Sequence, residues 1–133
     1  MNPFVQEIVK TLSGLLAVPP EDLAASLAIP QDPKMGDYAL PCFTLAKSLK
    51  KSPQAVAAEL AQRIQPSASI AKIEPKGPYL NFFVHRPKLI EMVLSAVAGE
   101  GERYGCSAVG AGKTIVVEFS SPNIAKHLAV HHL

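Results

Sequence analysis

Several things scarce in this chain narrow its chemistry. Of 133 residues only two are cysteine, Cys42 and Cys106. That is too few for a disulfide framework or a cysteine zinc site, and reduced, cytoplasmic thiols are the expectation. Net charge is small, with 13 Lys and Arg against 11 Asp and Glu leaving +2 at pH 7. A balance so near neutrality gives little support to nucleic-acid binding by charge alone, because a strongly basic stripe is the usual footprint. No apolar run is long enough to span a bilayer, so no membrane partner is expected. The opening MNPFVQEIVK lacks the basic start and continuous apolar core of a signal peptide. Charged residues reach only 18% while hydrophobic residues reach 48%, which argues against disorder and for a globular domain with a real core.

The apolar pattern that is present predicts elements. Phe4, Val5, Ile8, Val9, Leu12, Leu15 and Leu16 recur at helical spacing over 2–17, and Pro19 and Pro20 close that helix. A short strand is expected at 27–29 and a loop at 31–36. Asp37 is expected to cap a helix over 38–49, with Pro41 tolerated in its first turn. Ser52-Pro53 predicts the start of another helix with Val56, Leu60 and Ile64 inward. Strands are predicted at 70–74 and 79–85 around the turn Lys76-Gly77-Pro78. Pro87 opens a last helix with Leu89, Ile90, Val93, Leu94 and Val97 inward. The expected body, residues 1–98, is therefore α+β: a small antiparallel sheet packed with about four helices. Residues 99–114 contain five glycines (99, 101, 105, 110 and 112) and read as a linker. Ile115, Val116, Val117 and Phe119 look like a buried strand, followed by turn and capping residues and three histidines within six residues. A strand feeding a helix N-terminus is where α/β folds hold phosphate, so 115–133 reads as the first strand of an incomplete Rossmann-like α/β domain.

Two segments carry candidate chemistry. Along 79–85 the side chains alternate, with Leu80, Phe82 and Val84 on one face and Tyr79, Asn81, Phe83 and His85 on the other. Rings beside an amide are what an unstacked base requires, rings to stack and an amide to read edges. The plainer reading is a sheet covered on both faces, with Phe83 in the core. Lysines 47, 50, 51, 72 and 76, with Arg63, can meet phosphate or be ordinary solvated helix faces. His127 and His131 share a helical face, but no third ligand joins them and no metal site is expected. Gly110-Ala111-Gly112-Lys113-Thr114 is not a phosphate loop: Ser107 stands where its first glycine belongs, and a strand follows where a helix is needed.

The stretch FSSPNIAK followed by HLAVHHL resembles the start of the catalytic domain of arginyl-tRNA synthetases. MGDYALPCFTLAKSLKKSP and GPYLNFFV resemble that family's additional N-terminal domain, so the likeness covers nearly the whole chain. SSPNIAK matches residue for residue; beyond it Ala129 and His131 depart from the family's His-x-Gly-His-Leu signature, and only His132 and Leu133 agree. The resemblance implies a class I arginine–tRNA ligase, cytoplasmic and monomeric, using ATP with Mg2+ in its full-length form, with tRNA(Arg) and arginine as partners. It places Lys126 and His132 as catalytic groups near ATP and Ser121, Asn123 and His127 near arginine and ATP. It also places Tyr79 and Asn81, then Phe83 and Lys76, against the D-loop at the outer corner of the tRNA. The fragment itself is expected to bind tRNA weakly, hold no cofactor and catalyse nothing. A free-standing RNA-binding or assembly module without activity is the alternative.

Overall fold

The computed structural model describes residues 2–117 together with His127 and Val130. The chain divides into two compact units, residues 1–99 and 100–133.

In the first unit, helix α1 (Pro3–Ser13) is capped by Asn2, whose Oδ1 accepts from the Phe4 N–H at 2.9 Å, and it buries Phe4, Ile8, Val9 and Leu12. It stops short of the predicted residue 17. Ser13 and Gly14 are poor helix formers, and Leu15 and Leu16 turn back to donate to the Leu12 carbonyl. A second helix, α2 (Pro20–Ser26), follows where only helix-terminating prolines were read. Pro20 occupies its first position, where a missing N–H costs nothing, and Glu21 and Asp22 complement the dipole. The strand expected at 27–29 is reduced to one antiparallel bridge, Ala28 to Ala39. The loop beyond contains a 3-10 turn, Pro33–Met35.

The helix predicted over 38–49 is half strand. Tyr38–Pro41 forms β1, and only Phe43–Leu49 is helical (α3). Asp37 caps nothing; its carboxylate serves the far end of a neighbouring strand. Tertiary pairing overrides local propensity here, because extending 38–41 seats Leu40 in the core at 1% exposure. Helix α4 (Pro53–Arg63) is as read, with Ser52 Oγ accepting from the Ala55 N–H at 3.2 Å and Val56, Leu60 and Ile64 buried.

Strands β2 (Ile70–Lys76) and β3 (Tyr79–Val84) complete an antiparallel sheet in the order β1-β3-β2. The turn between them places Gly77 at φ +57°, a conformation glycine adopts freely. The sheet's inner face, with Leu40, Leu80, Phe82 and Val84, joins the buried faces of α1 to α4 in one hydrophobic core. Helix α5 (Arg86–Glu100) departs from expectation: it has no buried residue, and Ile90, Val93, Leu94 and Val97 are all exposed. Only Leu89 and Met92 pack against the core, because the helix meets the body with its first two turns alone.

The second unit opens with a 3-10 turn, Gly101–Arg103, and continues in turns through the glycine-rich segment. Ile115, Val116 and Val117, expected as a buried strand, are exposed and belong to no ladder. A single extended segment needs neighbours to bury its faces, and none is present among the described residues.

Candidate nucleic-acid interface

The outer face of the sheet is built by the pleat of β3. Because Leu80, Phe82 and Val84 are drawn into the core, Tyr79, Asn81 and Phe83 must point the other way. Register sets their neighbours: Asn81 lies between Ala39 and Glu74, and Tyr79 between Pro41 and Lys76.

The three residues differ in environment. Tyr79 is 37% exposed, and its ring meets that of Phe43 edge-on at 5.8 Å and 88°. This contact fixes the tilt of the tyrosine while leaving area for a planar ligand. Phe83 is partly buried under Lys72, whose Nζ lies 5.1 Å from the ring centroid and 2.5 Å from Glu74 Oε1. Asn81 is only 1% exposed, and its Oδ1 has no hydrogen-bond partner among the described residues. A buried, unpaired amide oxygen costs about 1–3 kcal/mol, so this one is a standing acceptor in search of a donor. The oxygen itself is closed to solvent, but the residue stands in a cavity wall. Together with Tyr79 it lines a cavity of about 310 Å3, walled opposite by the loop before β1 through Ala28, Pro30, Gln31, Asp32 and Met35. His85, read as the last member of the row, lies beyond the strand and donates its backbone N–H to Ser69.

The loop wall is a feature the sequence reading missed. Its turn residues, Pro30, Pro33 and Gly36, were visible, but turn chemistry does not say which strand a loop folds over. Gly36 is the crossing point. It sits at φ +95°, and a Cβ there would stand 2.8 Å from the Phe82 carbonyl oxygen. Asp37 follows immediately. Its backbone N–H donates to that same carbonyl at 2.9 Å, its Oδ2 accepts from the Val84 N–H at 2.8 Å, and its Oδ1 accepts from Arg86 Nη2 at 2.8 Å.

Basic side chains differ in their pairing. Lys76 sits at the β2–β3 turn beside Tyr79 and, like Lys47 and Lys50, has no acidic partner among the described residues. Lys51 is engaged by Glu59 at 2.5 Å, and that contact holds the Glu59 carboxyl below its ordinary range; Arg63 lies 3.9 Å from the same carboxylate. No three His, Cys, Asp or Glu side chains among the described residues stand where they could share a metal ion. Of the residues assigned to arginine and ATP, Ser121, Asn123, Lys126 and His132 lie outside the described residues, and His127 is exposed. No described helix is long and apolar enough to cross a membrane.

Fold and face together define a small α+β module whose sheet is packed by helices on one side and carries a largely apolar pocket on the other. Residues 4–84 match the family model described as "Arginyl tRNA synthetase N terminal domain". The chain belongs to that family. It is similar to arginine–tRNA ligase of Clostridioides difficile, with 47% identity over 113 residues, covering 85% of this chain and 20% of the relative. It is also similar to that of Clostridium botulinum, with 50% identity over 107 residues, covering 80% and 19%. The solved arginyl-tRNA synthetase of Thermus thermophilus superposes with a TM-score of 0.54 at 33% identity, over 68% of this chain and 15% of that one. The chain thus spans about a fifth of the length of the curated relatives it matches.

Proposed function

We propose that this chain is the N-terminal tRNA-recognition part of an arginine–tRNA ligase, a cytoplasmic monomer that attaches arginine to tRNA(Arg) with ATP and Mg2+. In this reading a loop base at the outer corner of the tRNA, near the D-loop, stacks on Tyr79 and enters the adjoining pocket. There it supplies the N–H that Asn81 Oδ1 lacks. Phe83 extends the aromatic surface, and Lys76 meets backbone phosphate. Lys126 and His132 would act on ATP, and Ser121, Asn123 and His127 would lie near arginine and ATP, in the whole enzyme alone.

The observation that carries the reading is the exposed Tyr79 ring beside a cavity that it lines together with the buried Asn81. Base stacking contributes about 1–3 kcal/mol per base. The Tyr79→Ala/Asn81→Ala double variant should therefore bind an arginine tRNA transcript at least about tenfold more weakly than the native chain. Unchanged affinity in a filter-binding or anisotropy titration, with the fold intact by circular dichroism, overturns the assignment.

A further inference from the structure

Resting on that reading of the pocket, we infer that Asp37, with Gly36 beside it, is a positioning residue for base recognition. Neither lines the cavity. Asp37 instead holds the pocket's two sides in register. One side is β3, which carries Tyr79 and Asn81; the other is the 28–35 loop. The loop is tied at its start by the Ala28–Ala39 bridge, with N–O distances of 2.9 and 2.8 Å. At its end it is tied by Asp37, whose carboxylate spans from Val84 on β3 to Arg86 at the head of α5. β1 is only four residues long, so its own ladder gives a weak grip on register. A slip of β1 along β3 would carry Ala39 away from Asn81, and with it Ala28 and the loop wall. Gly36 makes the clamp possible, because its backbone passes close over the Phe82 carbonyl, where any side chain would push the loop outward.

The experiment is a double-mutant cycle on the 133-residue chain with an arginine tRNA transcript, joined to amide hydrogen exchange without RNA. Asp37→Ala should speed exchange at the Ala28 and Ala39 amides. It should weaken tRNA binding about tenfold in the native background and by nothing further in a Tyr79→Ala/Asn81→Ala background, since a residue acting through these two side chains then has nothing left to position. Arg86→Gln removes one arm of the clamp while its side chain is 64% exposed. It should give a smaller loss in the same direction in a chain that still folds. Undiminished protection of Ala28 and Ala39 in both variants overturns the inference, as does a full additional loss of affinity in the Tyr79→Ala/Asn81→Ala background. If Tyr79→Ala/Asn81→Ala leaves tRNA affinity untouched, the base-recognition reading falls instead, and the exchange measurement still decides whether Asp37 positions the loop.

Discussion

Cys42 and Cys106 have the same chemistry and opposite surroundings. Cys42 is fully buried between β1 and α3; loss of solvent pushes its thiol from 9.0 up to about 11, against a smaller opposing effect of a backbone hydrogen bond at Leu80. Cys106 is exposed. Iodoacetamide at pH 8 should therefore alkylate Cys106 in the folded chain and reach Cys42 only on unfolding, which peptide mass spectrometry would resolve. The sign of the pH dependence follows. Between about 9 and about 11 the folded state keeps the Cys42 proton that the unfolded chain has given up. The thiol thus contributes fully below that window, and stability falls as pH rises through it. Urea midpoints of the native chain should decline more steeply from pH 9 to 11 than those of Cys42→Ala; parallel declines would refute the assignment. The two cysteines are indistinguishable in sequence, since burial of one depends on strands that pair across the chain. The same holds for Asn81. Alternation placed it on the outer face, but the loop that covers it comes from 28–36, and no local pattern shows that approach.

At the scale of elements, helices α4 and α5 carry similar apolar content to different ends. Leu60 of α4 is 3% exposed in the core, whereas Ile90 and Leu94 of α5 are 57% and 63% exposed. Leu60→Ala should destabilise the first unit by about 2–5 kcal/mol through lost burial and the cavity left behind. Ile90→Lys/Leu94→Lys should shift its unfolding midpoint by no more than about 0.5 kcal/mol each, as for surface sites. A cooperative loss of structure in the lysine variant, seen by thermal melting, would show that α5 is part of the core after all. The contrast explains which elements were legible. α1 and α4 declared themselves by cap and stripe, because the face that repeats is the face that is buried. In α5 the apolar residues are spread more evenly round the helix, and periodicity in any case does not name what covers an apolar face. β1 was misread for the complementary reason: four residues are too few to show a period, and pairing with β3 decided their conformation.

Across the whole molecule, the small net charge of +2 sets what kind of RNA binding is to be expected. Lys47, Lys50 and Lys76 are free of acidic partners among the described residues, while Lys51, Lys72 and Arg63 are near carboxylates. With about two or three phosphates neutralised, the logarithm of affinity should fall against the logarithm of salt with a slope of only about −2 to −3. Neutralising Lys76 should reduce that slope by about one. A slope near −6 would mean that the phosphate contacts come chiefly from elsewhere on the chain. By itself the sequence determined the family, the α+β class, the capped helices and the alternation of β3, because these depend on neighbours within a few residues or on segments matched whole. Only the tertiary structure decided that 38–41 is a strand, that α5 lies mostly outside the core, and that Asn81 is buried beside a pocket, its Oδ1 unpaired among the described residues. Those outcomes turn on contacts between residues some forty or more positions apart, such as Asp37 with Val84 and Ala39 with Asn81, where closure of the chain outweighs any local preference.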